Sequence, residues 1–432
     1  MNQAVSAFLS RHNFVRHVDI DTVVDSILYD MNRGLRGETS DEDMIRTWSN
    51  PPEAAAAGKS VIVIDAGGTN FRSCLVTFDA LGKAEISFME KTKMPGVDKE
   101  LPRREFFDQI AENLEHLRDK ADSIGFCFSY PMEITDDGDG ILIGFSKEVK
   151  APEVVGCRIG KCLRDALAGH GWKKLRRITL MNDTVAALLA GAACPDPGMK
   201  YSSYIGLILG TGLNAAYIQP AIGSRKDFPR QIVVCESGKF RSVNRSDFDV
   251  TVDSRTVKPG TFYMEKLCSG AYLGPQSLEA LKAAAADGLF SEKCSERVSK
   301  LESMTLIEAD SFLHGPYNTS SVLGAIMAET GTEEDYDRMY QLLDAIMERS
   351  ARYAASILAA AVIQSGEGRN ASKPVCILCN GSTYYKTHGI NERVHGYLED
   401  VLTRERGLYW EIISRDNDIT LGAAIGGLIE RK

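Results

Sequence analysis

Positive charge is what this sequence is short of. Fifty lysines and arginines against 59 aspartates and glutamates leave a formal net charge of -9 over 432 residues. That balance argues against a nucleic-acid or anionic-membrane partner, which would need a basic excess to neutralise phosphates. It leaves room for a phosphorylated small molecule, which needs only a few local donors. No Ser/His/Asp arrangement, no histidine-rich ligand set and no Gly-x-Gly-x-x-Gly fingerprint is present, so neither a covalent hydrolase nor a nicotinamide enzyme is suggested. Paired cysteines are also missing. The ten cysteines are scattered singly, and the one Cys-x-x-Cys, Cys376 and Cys379, lies in a strand-like run with no partner pair. It reads as core thiols in a reducing compartment, the cytoplasm. Residues 1–15 lack a basic-then-apolar signal pattern and fit an amphipathic helix. The longest uncharged run, 201–224, contains Asn214, Gln219, Pro220 and a central Gly-Thr-Gly, so it reads as a soluble hairpin rather than a membrane span. Gly58-Lys59-Ser60 is no P-loop, because Glu53 stands where glycine is needed and a strand follows.

What is present is an ordinary soluble composition, 44% hydrophobic and 25% charged, in a chain long enough for two or three domains. The chain is organised around residues 61–78. The β-branched run 61–64 predicts a buried strand, Asp65 ends it, Gly67-Gly68-Thr69 supply a tight turn, and 73–78 predicts a returning strand. Glycines let backbone come close to a ligand, and successive N–H groups at such a turn form an anion-binding concavity. Asp65 beside it suits a hydrated divalent cation. A plain Gly-Gly turn with a surface aspartate is the competing reading.

Residues 1–48 read as helical, with Asp19 and Asp21 before one segment and Ser40-Asp41 capping the next. Asn50-Pro51-Pro52 breaks the chain, and 53–59 is an alanine-rich connector. Further strands are predicted at 84–89, 123–128, 141–145 and 178–181, and helices at 104–120, 158–168 and 184–193. That mixture of hairpins and crossovers argues for a layered α/β domain. The pattern then restarts with strand 204–209, Gly210-Thr211-Gly212 and strand 214–219. Two glycine-tipped hairpins suggest two related lobes that offer phosphate-binding tips to one cleft. Residues 274–366 read as mainly helical, including 335–364 with breaks. A strand at 375–379, Asn380-Gly381-Ser382, a helix around 394–403, a strand at 409–413 and a glycine-bearing helix at 420–430 complete the chain.

Five clusters share the grammar of a strand ending in polar or glycine residues: 65–70, 128–131, Ser146-Lys147, 182–184 and 210–214. Ligands of open α/β sheets collect at strand carboxyl ends, so a common cleft is the economical reading. Asp183 is either an N-cap or a general base that accepts a hydroxyl proton. Lys147 is either a surface lysine or a cation beside a transferring phosphoryl group. Glu236 and Glu265 are surface glutamates on base rates. With Asn182, Asp183 and Asn214 they would give the paired donors and acceptors that a polyol needs.

These residues together resemble the hexokinase family, sugar kinases of the actin-like (ribonuclease-H-like) ATPase fold. Asp65-Ala-Gly-Gly-Thr-Asn-Phe-Arg72 resembles its first phosphate motif, Gly125 to Pro131 its sugar-binding strand and loop, and Gly140 to Lys147 the segment ending in a Thr-Lys pair. Met181 to Thr184 resembles the segment with the catalytic aspartate, Leu209 to Asn214 the second phosphate motif, Glu265 to Gly274 a later sugar-contacting segment, and Gly381-Ser382 the adenosine motif. Residues 31–36 and 44–48 fit the family's amino-terminal region. The motifs run in order through nearly the whole chain, as one catalytic set.

The resemblance implies an ATP-dependent hexokinase with a cleft between a small and a large lobe. The small lobe would be 60–181 with the closing helix 419–432; the large lobe would be 182–418 with 1–59. Asp183 would take the 6-hydroxyl proton of a hexose, glucose first, and Lys147 would touch both sugar and γ-phosphate. Ser129, Ser146, Asn182, Asn214, Glu236 and Glu265 would hold the sugar. Gly67, Gly68, Thr69, Asn70, Arg72, Gly210, Thr211 and Gly212 would surround the ATP phosphates, with Asp65 near Mg2+ through water. Gly381 and Ser382 would lie by the adenosine. A kinase for another hexose or an amino sugar, a non-catalytic sugar sensor and an actin-like assembly protein are the alternatives. The chain also departs from the pattern. Tyr130 replaces Phe, Ser146 replaces Thr, and Glu236-Ser-Gly-Lys-Phe240 replaces Glu-Trp-Gly-Ala-Phe. Asn380 replaces Asp, and Ile419-Thr-Leu421 replaces Ser-Gly-Lys.

Overall fold

The computed structural model describes residues 2–52, 56–145, 149–193, 198–223 and 227–429. The first part of the expected connector, 53–55, lies outside them. Thirteen strands occur among the described residues: β1 (Ile45–Arg46), β2 (Ser60–Gly67), β3 (Asn70–Phe78), β4 (Ala84–Lys93), β5 (Ser123–Phe128), β6 (Met132–Ile134), β7 (Gly140–Leu142), β8 (Arg177–Met181), β9 (Ser203–Leu209), β10 (Leu213–Gln219), β11 (Gln231–Val234), β12 (Val375–Asn380) and β13 (Trp410–Ile413). Five form one sheet in the order β4-β3-β2-β5-β8, and six form another in the order β1-β11-β10-β9-β12-β13. In the first, β2 pairs antiparallel with β3 and parallel with β5. In the second, β9 pairs antiparallel with β10 and parallel with β12. The two glycine-tipped hairpins read from the sequence therefore sit at corresponding places in two sheets of matching topology.

The first sheet is covered on both faces, so its inner strands are apolar throughout rather than alternating. Ile62, Ile64, Phe126 and Phe128 pack with Phe106, Phe107 and Ile110 of the helix Arg103–Asn113. On the other face, Val61, Val63 and Cys127 join Val185, Leu188 and Ile425, and that cluster continues into Ala216, Ile218 and Ile232 of the second sheet. The helices Asp183–Ala193 and Asp418–Leu428 thus lie between the sheets.

Backbone meets backbone at each step across this interface. A Cβ on Gly125 of β5 would overlap the Ala423 carbonyl of the closing helix, Asp418–Leu428. One on Gly422 would overlap the Ala186 carbonyl of the neighbouring helix, and one on Gly206 of β9 would stand 2.7 Å from Leu188 N. Glycine is needed here because the layers are too close for any side chain.

Several elements differ from the sequence reading. Residues 335–364 were expected to be broken, but the helix Glu333–Ser365 runs for 33 residues, from a Thr332–Asp335 capping box to Gly366 in the left-handed region. No glycine or proline lies inside it, so nothing interrupts its hydrogen bonds. The helix expected over 104–120 ends at Asn113 and gives way to a 3-10 turn, Glu115–Leu117. Asp119 is left-handed there and its carboxylate accepts from the Lys173 and Lys174 amides, which turns the chain towards β5. The helix around 394–403 is an α-helix, Ile390–Leu398, continued by a π-turn, Glu399–Arg404. Cys376 and Cys379 are buried and unpaired with each other, as core thiols. The run 201–224 supplies β9 and β10, and among the described residues no helix is long and apolar enough to cross a membrane.

No helix follows Ser40-Asp41. The Asp41 and Glu42 amides instead donate to the Asp30 carboxylate, and the chain runs extended into β1 beside β11. This leaves Glu42 1% exposed. Burial pushes its carboxyl up to about 8, with Asp30 and Asp41 adding to the rise and the Ser237 hydroxyl opposing it.

Gly422→Ala should lower the melting temperature, because overpacking costs about 1–3 kcal/mol, more than the ~1 kcal/mol gained in helix propensity. An unchanged melting temperature would show that the two helices can part freely. Glu42 keeps its proton in the folded chain over a range where the unfolded chain has lost it. Stability should therefore fall as pH rises from about 4.5 through the folded value of about 8 and level off beyond. Glu42→Gln should flatten that part of a stability profile measured by denaturant titration; an equal slope in both proteins would assign it elsewhere.

Candidate active site

Asp65 stands near the end of β2, opposite Arg72 of β3 in the hairpin register, and Arg72 Nη1 donates to Asp65 Oδ2 at 3.3 Å. Gly68 and Thr69 form the exposed tip, with Gly68 at φ +57°. Gly67 lets the chain after β5 lie on this turn: a Cβ there would be 3.0 Å from Ser129 Cβ. Ser129 N donates to the Ala66 carbonyl at 3.0 Å, and the Tyr130 hydroxyl to the Gly68 carbonyl at 2.9 Å. Asn70 opens β3 at the tip, exposed like Thr69.

The second turn, Gly210-Thr211-Gly212, closes with Gly210 N donating to the Gly212 carbonyl at 3.1 Å. A Cβ on Gly212 would lie 2.9 Å from Glu265 Oε2, which itself accepts from Leu213 N at 3.0 Å. The Gly210 carbonyl accepts from Gly270 N at 2.8 Å and from Thr383 Oγ1 at 2.9 Å. Gly381, at φ +122°, presses on the Leu209–Gly210 peptide where no Cβ fits, and Ser382 opens a short helix on the exposed side. The structure thus brings Gly381-Ser382 against the second turn.

Asn182 and Asp183 lie between these turns, where β8 gives way to the helix Asp183–Ala193. Thr184 N donates to Asn182 Oδ1 at 2.7 Å and to Asp183 Oδ1 at 2.8 Å. The cap is therefore Asn182, which accepts from the amide two residues on, and Asp183 is the first residue of the helix rather than its N-cap. Burial raises the Asp183 carboxyl above its ordinary value, the Thr184 amide and hydroxyl oppose this, and Asp65 adds to it. Asp65 is raised mainly by burial, restrained by Arg72 and raised further by Asp418. Glu236, left-handed at φ +61°, exchanges two hydrogen bonds with Asn214: Asn214 Nδ2 donates to Glu236 Oε1 at 2.8 Å, and Glu236 N donates to Asn214 Oδ1 at 3.0 Å. Burial lifts Glu236 too, Lys239 opposes, and Asp183 contributes to the rise. A cavity of about 420 Å³ is lined by Ser129, Asn182, Glu236, Lys239 and Phe262 among others.

Ser146 and Lys147 lie outside the described residues. Of the other residues expected in the site, Asp65 and Arg72 stand beside the first turn, Glu265 and Gly381 lie against the second, and Ser129, Asn182 and Glu236 line the cavity, with Asn214 bonded to Glu236. Three features were not read from the sequence. Asp418 begins the closing helix and accepts from Asn380, the residue that replaces the expected Asp. An acidic residue opening an apolar helix was a signal for it. Lys239 pairs with Asp43 at the cavity, and Ser237 is buried. The Tyr130 hydroxyl gains a partner that phenylalanine would lack. Among the described residues no group of three His, Cys, Asp or Glu side chains could hold a metal directly. The donor set, one carboxylate beside hydroxyls and turn amides, instead fits a hydrated magnesium carried by phosphates.

Two family profiles described as hexokinase match the chain, over residues 7–193 and 204–429. Hexokinase-1 of Schizosaccharomyces pombe is 28% identical over 435 residues, covering 95% of this chain and 87% of that one. Hexokinase of Toxoplasma gondii is 28% identical over 382 residues, covering 81% and 79%. Against Hexokinase-3 of Homo sapiens the identity is also 28%, over 83% of this chain, but the chain spans 40% of that protein's length. A solved hexokinase from Schistosoma mansoni, complexed with glucose, shares the fold with a TM-score of 0.78 at 20% identity, over 98% of both chains. The chain belongs to the hexokinase family, and it is a phosphotransferase with an alcohol group as acceptor that phosphorylates hexoses with ATP.

Proposed function

We propose that the preferred hexose is glucose, that ATP enters as its magnesium complex, and that Asp183 is the base. The observation that carries this reading is the place of Asp183, where β8 gives way to its helix, next to Asn182 of the cavity that Ser129 and Glu236 also line. Glu236, Asn214, Asn182, Glu265, Ser129 and Ser146 hold the sugar hydroxyls as paired donors and acceptors. Such a site rejects analogues lacking a hydroxyl, because its own buried polar groups would be left unpaired. Asp183 accepts the 6-hydroxyl proton as the new oxygen–phosphorus bond forms and the bond to the departing diphosphate breaks.

The turns at Gly67–Asn70 and Gly210–Gly212, with Arg72, meet the phosphates, and Gly381-Ser382 meet the adenosine. Lys147 offers a cation to the transferring group. Magnesium, when bound with ATP, neutralises charge on the phosphate oxygens, and Asp65 orients its water shell. The small lobe comprises 60–181 with 419–432, the large lobe 1–59 and 182–418, and closure around the sugar excludes water as a competing acceptor. The site of action is the cytoplasm.

A coupled assay of diphosphate release across a panel of hexoses tests the acceptor, with glucose expected to give the highest kcat/KM. Asp183→Ala should lower turnover by about 10²- to 10⁴-fold while calorimetry still detects hexose binding. Near-wild-type turnover in that variant would remove Asp183 as the base. The base works ionised, so kcat/KM should fall as pH drops through a carboxyl value raised by burial. The acid limb is expected above the ordinary aspartate value of about 4; a limb at or below it would mean that another group titrates.

A further inference from the structure

We propose that Asp418 is a positioning residue for the nucleotide half of the cleft, acting through Asn380. The proposal rests on the reading that ATP lies against Gly381 and Ser382. Asp418 is 9% exposed and opens the closing helix. Both of its oxygens accept from Asn380 Nδ2, at 2.9 and 2.7 Å, and Oδ1 also accepts from Ile419 N at 2.7 Å. A carboxylate can only accept, so it dictates which end of the Asn380 amide faces it.

Asn380 is the last residue of β12, in register with Ile208 of β9. The next residue, Gly381, is the one seated on the Leu209–Gly210 peptide. Two residues further on, Thr383 hydrogen-bonds the Gly210 carbonyl. A continuous series of contacts therefore runs from Asp418 through Asn380 and Gly381 to the second glycine turn. The far side of the same helix bears on β5 through Gly427 and on the Asp183 helix through Gly422. One helix thus places both the base and the nucleotide turn, and Asp418 is its contact with the latter. Asp418 is not the cap of this helix: the N-cap position is Asn417, which makes no side-chain cap bond, and the Ile419 amide is only the neighbour of Asp418. Capping therefore does not account for the pair of bonds to Asn380, a residue of another element.

The test uses the full chain, with steady-state kinetics and calorimetry for Mg-ATP and for glucose on four variants: Asp418→Ala, Asn380→Ala, the two together, and the exchange Asn380→Asp with Asp418→Asn. Each single alanine should raise KM and Kd for Mg-ATP by about tenfold, and the double should be no worse than either, because both belong to one interaction. Glucose affinity should stay within about twofold, and the exchange, which restores one amide facing one carboxylate, should recover most of the loss. Additive effects, no change in the Mg-ATP constants, or a parallel loss for glucose and ATP that the exchange does not repair would overturn the proposal. Ser382→Asp, at an exposed position, separates this from the underlying reading. If it weakens Mg-ATP while Asp418→Ala does not, only the role of Asp418 fails. If it leaves Mg-ATP unaffected, the nucleotide does not lie there and both fail.

Discussion

The site depends on how closely four layers of backbone approach one another. From β5 to the closing helix, on to the helix that starts at Asp183, and then to β9, each contact is made where glycine removes a side chain. Interiors packed to this density do not deform smoothly, and a shift in one layer is passed to the next. Asp183 sits at the end of a helix clamped on both sides by this series. Its position relative to the two hairpin turns is set by main-chain contact rather than by a flexible side chain. That suits its proposed role as a base, which must meet a hydroxyl within hydrogen-bond reach.

Electrostatics follow from that compression. Asp65, Asp183, Glu236 and Asp418 enter the cleft from four different elements, and burial raises all four carboxyls. Each is held by local donors: Arg72 for Asp65, Thr184 for Asp183, Asn214 for Glu236 and Asn380 for Asp418. Among the described residues the cleft gathers acceptors and few cations, which accords with the proposal that ATP enters as its magnesium complex.

Most strands and the two turns were legible because β-branched runs ending in Asp, Asn or Gly carry their meaning locally; the short strands β1, β6 and β11 were not read. The same holds for the core thiols at Cys376 and Cys379. The residues 36–44 misled because their helical propensity is overruled by the Asp30 carboxylate, which captures the Asp41 and Glu42 amides from eleven and twelve residues away. The breaks expected in Glu333–Ser365 are absent because its apolar residues wrap round the helix where both flanks are buried, and no periodicity marks that from sequence. Asp418 was missed for a related reason. Its partner lies 38 residues away on a strand, and only the closed layers bring the two together.

The departures from the family pattern bear on whether the site is kept for catalysis. A site that has lost turnover is free to accumulate unpaired substitutions, and buried polar groups without partners are costly enough to be noticed. Three of the departures come with partners. The hydroxyl added at Tyr130 reaches the Gly68 carbonyl on the first turn. The cation introduced as Lys239 meets Asp43. The amide at Asn380 faces a carboxylate supplied from another element, at Asp418. None of these pairings involves Asp183, the proposed base. That pattern fits a working kinase, and it weighs against a sensor that has kept the fold and lost the reaction.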